Sequence, residues 1–367
     1  MIAIDKIIEA KERLNNVISP TPLQHNMGLS RKYACNIYLK REDLQNVRSF
    51  KIRGAYNKIK YLSEQGDIHD IVCASAGNHA QGVAYACHSL SIKATIFMPT
   101  TTPKQKISKV KYFGGSWVDI VLTGDTFDDC QLQALDFANK RNYPFIHPFD
   151  DELVIAGQGT VGVEILAQAS EHIDYLLIAV GGGGLLSGIG SYFHTHSPNT
   201  KIIALESQGA AALTQSIKEN KRISLEHIDS FADGIAVKSI GEYTFPICKE
   251  VIDRVITIPE GHICSSILNL YNDEAIVLEP AGAIGFSALD VLKDELVGKN
   301  VVIVVSGGNN DITRTEDIRE RALLWENKKH YFIIRFPQRA GALKDFLNVL
   351  GPNDDISHFE YTKKNNR

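Results

Sequence analysis

From about Ile71 onward, short continuous apolar runs alternate with stretches whose apolar residues recur every three to four positions. IVCAS precedes GNHAQGVAYACHSL, KATIFMP precedes PKQKISKVKYFG, and WVDIVLT precedes FDDCQLQALDFANKR. YLLIAV then precedes GLLSGIGSYFH, and KIIALE precedes GAAALTQSIKEN. Strand and helix patterns in strict alternation predict βαβ units, an α/β fold of parallel strands with helices on both faces. The strand runs are apolar throughout rather than at every second position, as befits central strands covered on both sides. The N-terminal MIAIDKIIEAKERLNN alternates apolar and charged residues like a surface helix, and no fixed-period repeat is visible.

The units fall into two sets. One runs from about Asp43 to Asn142, and the other from about Tyr143 to Leu324 with the N-terminal helix packed on it. Two such lobes (a small one at about 43–142, a large one at about 1–42 and 143–328) imply a cleft between them, and the loops after parallel strands face such a crevice. A third segment, 329–367, follows the helical RERALLWENKKH: YFIIRFP, AGALKDFLNVL and DISHFEYTK predict strand, helix, strand. At roughly 40 residues it is near the lower limit for independent stability.

Composition narrows the class. Of 367 residues, 44% are hydrophobic and 22% charged, which excludes a disordered or fibrous chain. With 39 basic against 43 acidic side chains the net charge is −4, so no broad basic footprint for nucleic acid or an acidic membrane exists. Tyr175–Val180 and Val301–Val305 are far shorter than the ~20 apolar residues of a membrane helix. The N-terminus lacks the apolar core of a signal peptide, and a cytoplasmic location is expected. None of the six cysteines forms a CxxC or zinc pattern, and Cys73, Cys87 and Cys264 have the apolar neighbours of buried reduced thiols.

Four motifs sit at predicted strand-to-helix junctions or helix starts. In SFKIRGAYNKI, Lys51 opens a helix and shares its apolar face with Ala55 and Ile59. A lysine so placed can have a depressed pKa and act as a nucleophile or base. SAGNHAQGVA (Ser75–Ala84) places a turn before a helix N-terminus, where free amide groups favour an anion or simply cap the turn. GGGGLLSG (Gly181–Gly188) after YLLIAV can wrap backbone N–H groups around a phosphate. It also admits a dinucleotide reading, since Gly181 and Gly183 begin a G-x-G-x-x-G and Glu206 ends the next strand. Leu186 breaks that pattern, however, and the register starting at Gly182 ends in Ser187. VVIVVSGGNND (Val301–Asp311) runs a buried strand into Ser306 and two glycines.

In order and spacing these motifs resemble the pyridoxal-phosphate enzymes of the tryptophan synthase β-chain type (fold type II), in the threonine/serine dehydratase branch. The resemblance implies two parallel-sheet lobes and pyridoxal 5'-phosphate as cofactor. It makes Lys51 the Schiff-base lysine and catalytic base, with Phe50 against the cofactor ring. Asn78 would meet the cofactor's 3'-oxygen, Gly181, Gly182, Gly183, Gly184 and Leu185 its phosphate, and Ser306 its pyridine nitrogen. Ser75, Ala76, Gly77, Asn78 and His79 would hold the substrate carboxylate, His79 ordering the loop rather than acting as a base. Related racemases carry a second serine where this chain has Ala76, which argues against racemisation. Glu206 and Ala210 match two positions of a racemase cation site, but its acidic third is Ala212, so no metal is expected. EPAGA (Glu279–Ala283) is familiar from the family as packing or support. The tail resembles the first half of the ACT-like module of biosynthetic threonine dehydratases, so isoleucine or valine would be effectors only where that module is completed. The activity implied is conversion of L-threonine to 2-oxobutanoate and ammonia in isoleucine synthesis, by a homotetramer, with use of L-serine as well left open by the sequence. A pyridoxal-phosphate-dependent serine dehydratase, a β-replacement enzyme, a dinucleotide-dependent oxidoreductase and a non-enzymatic amino-acid-binding regulator are the alternatives.

Overall fold

A computed structural model describes residues 1–66, 68, 70–337 and 339–362. Chain contacts divide it into two units, Met1–Lys328 and Lys329–Arg367. Among the described residues of the first, nine strands form two sheets: β1 Leu23–His25, β2 Asn36–Arg41, β3 Asp70–Ala74, β4 Lys93–Met98, β5 Val118–Leu122, β6 Tyr175–Ala179, β7 Lys201–Ser207, β8 Arg254–Ile258 and β9 Asn300–Val305. The larger sheet has the order β1-β2-β9-β6-β7-β8, parallel except for β1, and the smaller is a parallel β3-β4-β5. Residues 144–146 continue the smaller sheet beside β3 through hydrogen bonds from Val72 N to Pro144 O (2.9 Å) and from Ile146 N to Val72 O (2.8 Å).

The continuous apolar runs are explained by burial on both faces. Along β6, Leu177 and Ala179 enter one core while Leu176 and Ile178 enter the other. Along β3, Ile71 and Cys73 face one side while Val72 and Ala74 face the other. The N-terminal helix Ile4–Leu14 joins two cores, with Ile7 and Ala10 in the larger lobe and Leu14 in the smaller. All six cysteines are buried and unpaired.

One helix organises the site. Glu152–Gln168 is capped by Asp151, whose carboxylate accepts from Leu153 N (2.9 Å) and Val154 N (3.0 Å). It is apolar around most of its circumference because helices press on it from two sides. A Cβ on Gly157 would lie 2.7 Å from the backbone of Gly54 in helix Lys51–Gln65, and one on Gly188 would lie 2.5 Å from Gly159 N. These glycines let the helices that begin at Lys51 and Gly184 pack backbone to backbone on the same support.

The second unit contains helix Ala342–Leu347, ring contacts of Phe336 with Phe346 (5.6 Å) and Tyr361 (6.2 Å), and an Arg339–Asp345 ion pair. The strands expected from YFIIRFP and DISHFEYTK are not formed among the described residues, and residues 363–367 lie outside them. A lone strand leaves its amide and carbonyl groups without a neighbour to pair with, so β propensity alone does not produce one.

Candidate active site

Lys51 is the first residue of its helix, and the segment before it is tied to the loop after β9. Ser49 and Gly307 form an antiparallel bridge, and Phe50 N donates to Ser306 O (3.2 Å). The Lys51 Nζ donates to Pro148 O (2.8 Å) and lies 5.3 Å from the centre of the Phe50 ring. Burial pulls the amine down to about 8, with the nearby Glu279 charge partly opposing. Ala55 and Ile59 are fully buried on the same face.

Two residues further on, Arg53 is fully buried. Its guanidinium donates to Glu42 (both contacts 2.8 Å) and to Glu164 (2.7 and 2.9 Å), while Lys40 Nζ donates to Glu164 (2.5 Å) and Thr21 O (2.6 Å). Two cations and two carboxylates thus cancel, with nearly every donor used, which is what a buried charge cluster requires. The cluster joins the Lys51 helix to β2 and to the helix Glu152–Gln168.

The glycine loop follows β6. Gly183 has φ +90°, a conformation natural to glycine, and the first helical bond runs from Ser187 N to Gly183 O (2.8 Å). The N–H groups of Gly184, Leu185 and Leu186 therefore have no acceptor within their helix. Thr244 Oγ1 donates to Gly182 O (2.6 Å), and Asp150 accepts from Glu242 N, Tyr243 N and Thr244 N (2.9–3.1 Å), which braces the loop from behind.

Phe50, Lys51, Asn78, Gly181–Gly184, Leu185 and Ser306 line one cleft. Of the expected substrate loop only Asn78 lines it; Ser75, Ala76, Gly77 and His79 lie at the β3-to-helix junction and are not among the lining residues. Gly77 N donates to Ser75 Oγ (3.2 Å), and His79 Nε2 lies 2.9 Å from Ile146 O. Burial, reinforced by Lys51, lowers His79 to about 3, so the ring is neutral and Nε2 carries the proton given to Ile146 O. Glu206 is occupied as a helix cap: its carboxylate accepts from Leu213 N (2.7 Å), Thr214 N (2.8 Å) and Thr214 Oγ1 (2.7 Å).

The cleft also contains six residues that the motifs did not single out as site residues: Phe149, Ala179, Gly234, Ile235, Glu279 and Ala281. Phe149 and Ile235 carry no sequence signal, since each is one apolar residue in a loop. Glu279 did carry one, an acid immediately before the Pro280 that opens helix Pro280–Leu296. It is buried and accepts from Asn78 Nδ2 (2.7 Å). Burial, then Asp233, pushes it up to about 7, against the Asn78 hydrogen bond.

Residues 14–307 match the family described as pyridoxal-phosphate dependent enzyme, and residues 320–367 match the C-terminal regulatory domain of threonine dehydratase. Biosynthetic L-threonine dehydratases of Halalkalibacterium halodurans and Bacillus subtilis are 57% and 55% identical, aligned over all of this chain and over 88% and 87% of those proteins. The chain belongs to the biosynthetic threonine dehydratase family. Solved structures agree. The processed form of threonine deaminase isoform 2 from Solanum lycopersicum superposes with a TM-score of 0.81 at 41% identity, covering 87% of this chain and 94% of that one. The threonine deaminase of T.th. gives 0.79 at 34%, covering 84% and 99%.

The cleft of this threonine dehydratase family member fits the family's cofactor. Ser306 Oγ is buried without a partner among the described residues, as a hydroxyl awaiting a ring nitrogen would be. A Cβ on Gly182 would lie 2.3 Å from the Phe149 ring, so only glycine leaves the loop its path beside that ring. A lysine amine with a lowered pKa completes the donor set.

Proposed function

We propose that the chain converts L-threonine to 2-oxobutanoate and ammonia, a carbon–nitrogen lyase reaction at the entry to isoleucine synthesis, with pyridoxal phosphate as cofactor. The observation that carries the reading is the convergence of the Lys51 amine, the glycine loop and the unpartnered Ser306 hydroxyl in one cleft.

Pyridoxal phosphate, when bound, supplies an electron-withdrawing ring that makes the Cα proton of threonine acidic. Lys51 would hold it covalently, Gly181–Leu185 its phosphate, Phe50 its ring face, Ser306 its ring nitrogen and Asn78 its 3'-oxygen. Ser306 can accept or donate a hydrogen bond but does not bring the full charge of a carboxylate. That keeps the ring a milder electron sink, suited to elimination. Lys51, once its amine is free, is neutral in a good fraction of molecules near pH 8 and takes the Cα proton at Nζ. The amide groups of Ser75–His79 orient the substrate carboxylate, and His79, neutral and bonded to Ile146 O, holds that loop in place. Water leaves from Cβ and is regained when the released enamine hydrolyses, so threonine yields one 2-oxobutanoate and one ammonia.

Residues 1–328 are assigned to catalysis, with a small lobe of about 43–142. Residues 329–367 are assigned to an ACT-like regulatory segment, with isoleucine or valine as its effectors. A cytoplasmic homotetramer is the assembly we propose; among the described residues no helix is long and apolar enough to cross a membrane. The test is product analysis of purified protein with L-threonine and added pyridoxal phosphate. Stoichiometric 2-oxobutanoate and ammonia are expected, and an inert protein or a racemised substrate overturns the reading.

A further inference from the structure

Asn78 is the end of a hydrogen-bonded chain that begins outside the cleft. Lys109 Nζ, on helix Lys104–Gly114, donates to Asn309 Oδ1 (2.9 Å). Asn309 Nδ2 donates to Val47 O (2.8 Å) and to Asn78 Oδ1 (2.7 Å). Asn78 Nδ2 donates in turn to Glu279 Oε1 (2.7 Å).

The chain has a direction. An ammonium group has no lone pair to offer, so the amide atom of Asn309 facing Lys109 must be its oxygen. Its nitrogen then faces Val47 O and Asn78, and both contacts require a donor. Asn78 must therefore present its oxygen to Asn309 and its nitrogen to Glu279. An amide has two N–H groups, and one of Asn78's is used by Glu279. The second has no acceptor among the described residues, and Asn78 lines the cleft. A flipped Asn78 would turn its nitrogen toward the Asn309 nitrogen and lose that hydrogen bond; with Glu279 ionised it would lose a second, its carbonyl oxygen then facing a carboxylate.

The four residues also alternate between lobes. Lys109 and Asn78 belong to the small lobe, while Asn309 and Glu279 follow β9 and precede helix Pro280–Leu296 in the large one. Each link is a contact between lobes, so the alignment of Asn78 depends on the lobes meeting as they do here.

We infer that Lys109 and Asn309 are positioning residues, which hold the Asn78 amide so that it donates, rather than accepts, a hydrogen bond to the ligand oxygen in the cleft. With pyridoxal phosphate bound this oxygen is the cofactor's 3'-oxygen, a placement that rests on the site reading above. Neither residue is among those that line the cleft. They act through Asn78, and a donor there biases the proton distribution between the 3'-oxygen and its neighbouring nitrogen.

The test is the visible absorbance of the purified holoenzyme without substrate, with cofactor affinity from titration of the apoprotein and unfolding temperature as the control for folding. Lys109→Met keeps the stem and the helix propensity but removes the donor. Asn309→Leu removes the link itself. Both are expected to change the ratio of the cofactor's absorbance bands and to weaken cofactor binding by about tenfold, the scale of one charge-assisted hydrogen bond. Lys109→Arg, which still donates, should restore the wild-type spectrum. Asn78→Ala separates the two claims. If it leaves the spectrum unchanged, the placement of Asn78 at the 3'-oxygen is wrong. If it alters the spectrum while Lys109→Met and Asn309→Leu, both stably folded, do not, the relay is wrong and the site reading stands.

Discussion

At the residue scale, burial shifts two ionisable groups in opposite directions, Lys51 down and Glu279 up. Lys51 is lowered to about 8 by burial, so its neutral, nucleophilic form grows as pH rises and levels off above that value. Capture of pyridoxal phosphate by the apoprotein, followed by absorbance, should therefore accelerate with pH around a midpoint near 8. Glu279→Gln removes a charge that supports the ammonium and should move that midpoint down. Glu279 itself is raised to about 7 in the folded chain. Its folded form holds the proton more tightly than the unfolded chain does, so the stability it contributes is complete below about 4.5, the ordinary value, and is lost as pH rises through 7. Glutamine keeps an oxygen for Asn78 and never ionises. Glu279→Gln should gain about 3 kcal/mol over wild type at pH 8 in urea melts, a gain that vanishes below about pH 4.5. Equal pH dependence of the two proteins would mean that Glu279 is not held in its protonated form.

At the scale of elements, the site is made by helix starts pressed onto a common support. Gly182 illustrates the tolerance. A methyl group there would sit inside the Phe149 ring, so Gly182→Ala should weaken cofactor binding and cost about 1–3 kcal/mol of stability, as overpacking does. Full retention of both, measured by titration and melting, would show that the loop has room. These elements are also where the sequence was most and least legible. The β-rich runs and the helices after them announced the two sheets because apolar continuity and helical period are local properties. Lys51, Asn78, the glycines and Ser306 stood at junctions that such a fold turns toward its cleft. Phe149 and the Pro148 carbonyl could not be read. What brings them to Lys51 is the crossing of the segment between the lobes, and no local pattern encodes that. The tail shows the converse. YFIIRFP has strand composition, yet strand formation is decided by a pairing neighbour rather than by the segment itself.

At the scale of the molecule, the two lobes are joined by a buried ion cluster and by the amide chain at Asn78. Arg53 carries the larger load. Truncating it leaves Glu42 and Glu164 buried with Lys40 as the cluster's remaining cation, and breaking one side of such a cluster costs about 3–5 kcal/mol. Arg53→Met should show that loss in denaturant melts together with weaker cofactor retention, because the same helix turn carries Lys51. A variant as stable as wild type would remove the cluster from the account. The central claim, that the cleft between the lobes is a cofactor site built on Lys51, has one direct measurement. The holoenzyme is reduced with borohydride, digested, and the modified lysine located by mass spectrometry. A single pyridoxyl-phosphate adduct is expected on the peptide containing Lys51, and none in Lys51→Ala; an adduct on another lysine, or no adduct in a protein that turns over threonine, would show that the cofactor is not held by Lys51.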